Sequence, residues 1–139
     1  MSETGNGSPA VLTLNVGSSS VKWALFRMDS LPVRTATGKI ERIGLRDGIV
    51  TVTDVATGHN ERRIEQVQDH AASVRLLIDQ LAQSGKGLSV QAIGHRVVHG
   101  GSRYAAPQVV SAEVMDELRR LSPYDPDQLA ADITFIQAF

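Results

Sequence analysis

Apolar side chains recur along this chain with two different periods, and the change between them divides it. Up to about residue 53 they alternate as in strands; beyond about residue 69 they return every third or fourth position, as in helices. Ala10 to Asn15 reads as the first strand, behind a start rich in Gly, Ser, Asn and Thr. Val21 to Arg27 reads as the second, with Val21, Trp23 and Leu25 on one face and Lys22, Ala24 and Phe26 on the other. Apolar groups on both faces predict an internal strand with material packed on either side. Leu31-Pro32 marks a turn, and from Arg34 the residues Thr35, Thr37, Lys39 and Glu41 alternate with Ala36, Gly38 and Ile40 like a half-exposed strand. Asp47-Gly48 then reads as a hairpin turn and Ile49 to Thr53 as the next strand, so that a meander builds most of a mixed sheet.

After a polar stretch around Thr57 to Glu61, Val74, Leu77, Ile78 and Leu81 share one face of a helix capped by Asp69 and ended before Gly85. Val90 to Ile93 returns to extended spacing. Ser111 caps a second helix with Val114, Leu118 and Leu121 inward, and Ser122-Pro123 ends it. A third helix has Asp125 as its cap, Pro126 in the first turn and Gln128 placed to reach back to the cap amide, with Leu129, Ile133 and Ile136 as its core stripe. Strands followed by helix, strand and two helices predict an α/β domain whose next element is another parallel strand.

Composition narrows the function. A chain of 139 residues, 42% of them hydrophobic, supports one domain with a sizeable core. Its formal net charge of -1 offers no broad basic surface for nucleic acid or an anionic membrane. Small phosphorylated or carboxylated ligands stay open, because for them local charge placement decides. The absence of cysteine removes disulfides, a thiolate nucleophile and cysteine-ligated metals. Met1 to Ser8 lacks the pattern of a signal peptide, and no apolar run approaches the ~20 residues that span a bilayer, so a cytoplasmic location is expected.

The candidate chemistry gathers in two segments. In Val11-Leu12-Thr13-Leu14-Asn15-Val16-Gly17-Ser18-Ser19-Ser20-Val21-Lys22, an apolar strand runs into a Gly-Ser turn with an asparagine before it and a lysine after it. Glycine allows close backbone approach to an anion, hydroxyls and amides donate to its oxygens, and lysine supplies the opposite charge. A serine-rich hairpin turn followed by a solvated lysine is the plainer reading. The second segment is Ala92-Ile93-Gly94-His95-Arg96-Val97-Val98-His99-Gly100-Gly101, in which the planar fork of Arg96 matches a carboxylate through two parallel hydrogen bonds. The plainer reading pairs Arg96 with an acidic neighbour and leaves Val98 in the core. His95 and His99 lie four apart outside any predicted helix, with no third ligand, which argues against zinc.

Together the two segments resemble the signatures of the acetate kinase family, which includes propionate kinases, in that family's order and at about its separation. The resemblance runs from about Pro9 to Ala138 and covers the first third or so of a typical member. It implies transfer of the γ-phosphoryl group of ATP to a short-chain carboxylate, giving an acyl phosphate and ADP, with Mg²⁺. It implies a ribonuclease-H-like mixed sheet flanked by helices, in the actin, Hsp70 and sugar-kinase superfamily. Residues 10–139 then form an amino-terminal domain lacking its last strand and helix, behind a flexible tail over 1–9, with nucleotide in the cleft to a second domain. Carried over, Asn15 contacts the magnesium and phosphate region, Ser18, Ser19, Ser20 and Lys22 hold nucleotide phosphate, Arg96 binds the substrate carboxylate and Val98 walls its alkyl tail. No catalytic residue falls in this chain: the family's aspartate, in a Phe-Asp-Thr-Ala-Phe-His segment, would begin soon after Phe139, and its second-domain arginine and glutamate are absent. Family members are commonly dimers through the second domain, which leaves the oligomeric state open.

One departure concerns the acyl pocket. Where the family usually has Ala-Pro-Leu-His-Asn-Pro, this chain has Ser122-Pro123-Tyr124-Asp125-Pro126, with Tyr124 in place of the pocket-lining leucine. A phenol is wider and seeks a hydrogen-bond partner, so Tyr124→Leu is expected to shift the relative rates for acetate, propionate and longer acids. Two other readings stand beside the kinase: another phosphotransferase of the same superfamily, and a nonenzymatic nucleotide- or anion-binding module. The isolated 139 residues are expected to have negligible activity.

Overall fold

The computed structural model describes residues 7–97 and 100–139. Six strands form one mixed sheet: β1 (Ser8–Val16), β2 (Val21–Met28), β3 (Pro32–Glu41), β4 (Ile49–Asp54), β5 (Asn60–Ile64) and β6 (Leu88–Arg96). Their spatial order is β5-β4-β3-β2-β1-β6. The first five pair antiparallel in sequence order, and β6 joins β1 in parallel after the crossover through α1 (His70–Ser84). Beyond β6 come α2 (Ala112–Leu121), a 3-10 turn over Ser122–Tyr124, and α3 (Pro126–Ala138). The mixed sheet with its flanking helices is the one expected, and β1 begins two residues before Ala10, at Ser8.

The core lies on one face of the sheet. Leu12, Leu14, Val16, Val21, Trp23, Leu25, Ala36, Ile40 and Val50 point to it, and α1 covers it with Val74 and Leu77 and α3 with Ala131 and Phe135. A second cluster joins Met115 and Leu118 of α2 to Leu129 of α3, with Val114, Leu121, Ile133 and Ile136 packed against it. The caps hold where sequence placed them: the Asp69 carboxylate accepts from Ala72 N at 2.8 Å and the Ser111 hydroxyl from Val114 N at 3.3 Å.

Four expectations need correction. Ile78 is 48% exposed, and Ser73 and Gln80 take the inward positions of α1 instead, since the buried Trp23 Nε1 donates to Gln80 Oε1 at 3.0 Å and draws that amide inside. Gln128 does not box the α3 cap; its amide donates to Val16 O and to Asp132 Oδ1. The polar stretch continues into a strand, β5, which pairs with β4 although all five residues are exposed. Finally, β2 is internal to the sheet, but its Lys22 and Ala24 face does not join the helix-covered core; it borders a concavity.

Candidate functional site

Strand register assembles the site. Cross-strand partners on a pleated sheet point to the same face. Asn15 on β1 stands opposite Lys22 on β2 and Arg96 on β6, and Lys22 stands opposite Lys39 on β3. The sequence Arg96, Asn15, Lys22, Lys39 is therefore one straight row across four adjacent strands, on the face away from the helices. Strands are about 4.8 Å apart, so the row runs about 14 Å from end to end. Thr13, Ala24 and Thr37 form a second, parallel row beside it.

Both rows line a concavity of about 660 Å³ that also takes in Gly94 and the Arg34 side of β3. Among the described residues that line it, Lys22, Arg34, Lys39 and Arg96 are cationic and none is acidic. Those four make no salt bridge among the described residues. The plainer reading of Arg96, as a partner for an acidic neighbour, therefore finds no support. His95, next in sequence, pairs with Leu14 and so turns to the opposite face; burial lowers its pKa below the usual imidazole value, which leaves it neutral at pH 7.

The turn at the end of β1 closes with Gly17 N donating to Ser20 O at 2.7 Å. A Cβ at Gly17 would stand 2.8 Å from Ser20 Oγ, a contact that rotation of the Ser20 hydroxyl would relieve. Ser18 and Ser19 are exposed and Ser20 is half-buried, and their hydroxyls make no hydrogen bond among the described residues. Three elements fix the turn from outside. His70 at the start of α1 reaches Gly17 O at 2.9 Å, Gln128 of α3 donates to Val16 O, and Ile43 N donates to Ser19 O at 3.0 Å. His70 was not singled out from sequence, and Gln128 was read there as the partner of the α3 cap instead of a support for this turn.

The predicted residues separate into three groups. Asn15, Lys22 and Arg96 meet in the row, and Ser18, Ser19 and Ser20 sit on the turn between the first two in sequence. Tyr124 stands on the 3-10 turn, 82% exposed, and does not line the concavity. Val98, like His99, lies outside the described residues.

The donor set suits an anion. A divalent cation would meet only neutral side-chain oxygens, the Asn15 amide and the Thr13 and Thr37 hydroxyls, among four positive side chains and no described carboxylate. No cluster of three His, Cys, Asp or Glu gathers among the described residues. Mg²⁺ therefore does not fit as an ion held by these residues alone; it fits only when phosphate oxygens carry it in.

The strand order, the parallel β6 beside β1 and the helices packed on the sheet define a ribonuclease-H-like α/β domain of the actin, Hsp70 and sugar-kinase superfamily. Residues 10–139 match the Acetokinase family, and the chain belongs to it. It is 40% identical over 132 residues to the acetate kinase of Bacillus mycoides (strain KBAB4), covering 93% of this chain and 32% of that protein. In structure it is similar to a propionate kinase from Francisella tularensis, with a TM-score of 0.78, 26% identity and coverage of 94% of this chain and 33% of that one. The Porphyromonas gingivalis acetate kinase superimposes with a TM-score of 0.79 at 27% identity, over the same shares of 94% and 33%. The chain thus spans about a third of the length of these relatives.

Proposed function

We propose that this chain supplies the phosphate- and carboxylate-facing side of an enzyme that transfers the γ-phosphoryl group of ATP to acetate or propionate. The observation that carries this reading is the row Arg96, Asn15, Lys22, with its cations in no salt bridge among the described residues and its register set by three strands. Phosphoryl transfer needs positioning and charge neutralisation more than covalent help, and a rigid sheet provides both. Arg96 takes the carboxylate through its planar fork, leaving one carboxylate oxygen to attack. Lys22, two strands and about 10 Å away, neutralises the oxygens of the transferring group. Asn15, between them, offers an amide to either ligand. The turn hydroxyls and amides of Ser18, Ser19 and Ser20 receive the nucleotide phosphates, held in place by His70 and Gln128. Mg²⁺, arriving on those phosphates, adds positive charge to the same region.

The family match supports a kinase of this class over a bare binding module, and the Arg96 segment supports a carboxylate acceptor. The relatives' remaining two thirds would supply the catalytic aspartate and the facing half of the cleft. The test is an ATP- and Mg²⁺-dependent hydroxamate assay of the full-length protein with acetate and with propionate. Acyl phosphate should form, and Arg96→Lys should lower kcat/KM by about 100-fold, because a point charge does not replace a bidentate fork. An active enzyme indifferent to that change would remove Arg96 from the acceptor site.

A further inference from the structure

Lys39 belongs to neither sequence signature, yet its partner in the ladder is Lys22. Two like charges directly opposite on neighbouring strands repel, and a sheet gains nothing from that pairing. Both side chains are exposed, both line the concavity, and neither has a salt-bridge partner among the described residues. Among the described residues no carboxylate lines the concavity to neutralise them. A ligand carrying two or more negative charges between the two ammonium groups would turn this repulsion into binding.

We infer that Lys39, together with Lys22, forms a subsite for the leaving-group phosphate of the donor, the β-phosphate of a nucleoside triphosphate or one end of a diphosphate. The inference rests on the phosphotransfer reading and takes its direction from the geometry of the row. An in-line transfer needs acceptor, transferring phosphorus and leaving oxygen in sequence along one line. Arg96, Lys22 and Lys39 occur in that sequence along one straight row. With the carboxylate at Arg96 and the transferring group at Lys22, the next position outward is where negative charge collects. There the bond from the γ-phosphorus to the bridging oxygen breaks, and its electron pair stays on the β-phosphate. A carboxylate oxygen forms the new bond to phosphorus, and no proton moves. The Lys39 ammonium lies on the side where that electron pair is left.

The test reads binding separately from turnover. Pyrophosphate and ADP are titrated calorimetrically into the full-length protein and its Lys39→Ala, Lys39→Arg and Lys86→Ala variants, the last removing an exposed lysine outside the concavity. Lys39→Ala should weaken pyrophosphate and ADP binding about tenfold, the loss of one charge-assisted contact, with Lys39→Arg within about threefold of wild type and Lys86→Ala unchanged. In the assay, Lys39→Ala should raise the KM for ATP and leave that for acetate within about twofold. Unaltered pyrophosphate and ADP affinity in Lys39→Ala would overturn the inference, as would a rise confined to the acetate KM. A protein that forms no acyl phosphate but loses diphosphate affinity with Lys39→Ala would sink the kinase reading and leave the diphosphate subsite standing.

Discussion

His70 Nε2 lies 2.9 Å from the carbonyl oxygen of Gly17, joining the first residue of α1 to the turn between β1 and β2 across 53 positions of sequence. A carbonyl only accepts, so the imidazole carries its proton on Nε2 and donates. The ring also meets Phe135 of α3 edge to face, with centroids 6.3 Å apart, which fixes its angle. His70→Phe keeps the ring's bulk and removes the donor. It should cost about 1 kcal/mol of stability, the net value of one hydrogen bond. It should also raise the KM for ATP in the full-length protein and spare that for acetate, since only the phosphate-facing turn loses a support. Equal changes in both constants would mean that His70 stabilises the domain without positioning the turn.

That contact also marks the boundary of what sequence could tell. The apolar alternation read β1 to β4 correctly because one face of each strand is buried against the helices, and burial is what writes a period into sequence. β5 carried no such signal: Asn60, Glu61, Arg62, Arg63 and Ile64 are all exposed, and their pairing with β4 rests on the backbone ladder and a side-chain hydrogen bond from Asn60 Nδ2 to Thr53 Oγ1 at 2.7 Å, with no buried apolar face. The inward turn of Gln80 was equally hidden, because its reason is an indole 57 positions away. Asn15, Lys22 and Arg96 were legible as motif residues. Lys39 was legible only as one member of a half-exposed strand, since register across strands is a tertiary fact.

Gly38 on β3 faces Trp23 on β2 in the ladder, and the indole occupies the volume that a side chain there would need. A Cβ at Gly38 would fall well inside contact distance of Trp23 Nε1. Gly38→Ala should therefore displace the ring, stretch its bond to Gln80 and destabilise the domain by about 1–3 kcal/mol, as overpacked cores do. Trp23 is the sole tryptophan of this chain, so denaturant unfolding of these 139 residues followed by its fluorescence reads both the stability and the altered environment. Lys39 adjoins Gly38, so pyrophosphate affinity should fall in the same variant.

Glu117 and Arg120, one turn apart on α2, form a forked pair, with Arg120 Nη2 at 2.6 Å from Glu117 Oε1 and Nε at 2.9 Å from Oε2. The guanidinium's hydrogen bonds hold the Glu117 carboxyl below its ordinary pKa of about 4.5. A carboxyl depressed in the folded state stabilises the fold above its unfolded pKa, and that contribution is lost as pH falls through the folded value. Glu117→Gln should accordingly lower the melting temperature at pH 7 and flatten its decline between pH 5 and the more acidic folded pKa. Thermal melts across that window check it; parallel wild-type and variant curves would mean that the pair adds nothing to the pH response.

Tyr124 tests how much of the acyl pocket this chain supplies. Its place in the sequence suggested a wall against the acid's alkyl tail, but the phenol stands 82% exposed on the 3-10 turn between α2 and α3, outside the concavity that holds Arg96. A group that walls the tail would discriminate acids differing by one methylene by about 1–3 kcal/mol, or about 10- to 200-fold in relative kcat/KM. An exposed side chain away from the site has no such lever, and its replacement changes stability by no more than about 0.5 kcal/mol. In the full-length protein, then, Tyr124→Leu should leave the rates for acetate, propionate and butyrate in their wild-type ratios, within about twofold. A tenfold shift toward either end of the series would bring the turn to the acceptor and make Tyr124 a determinant of chain length, acting in a closed arrangement of the cleft.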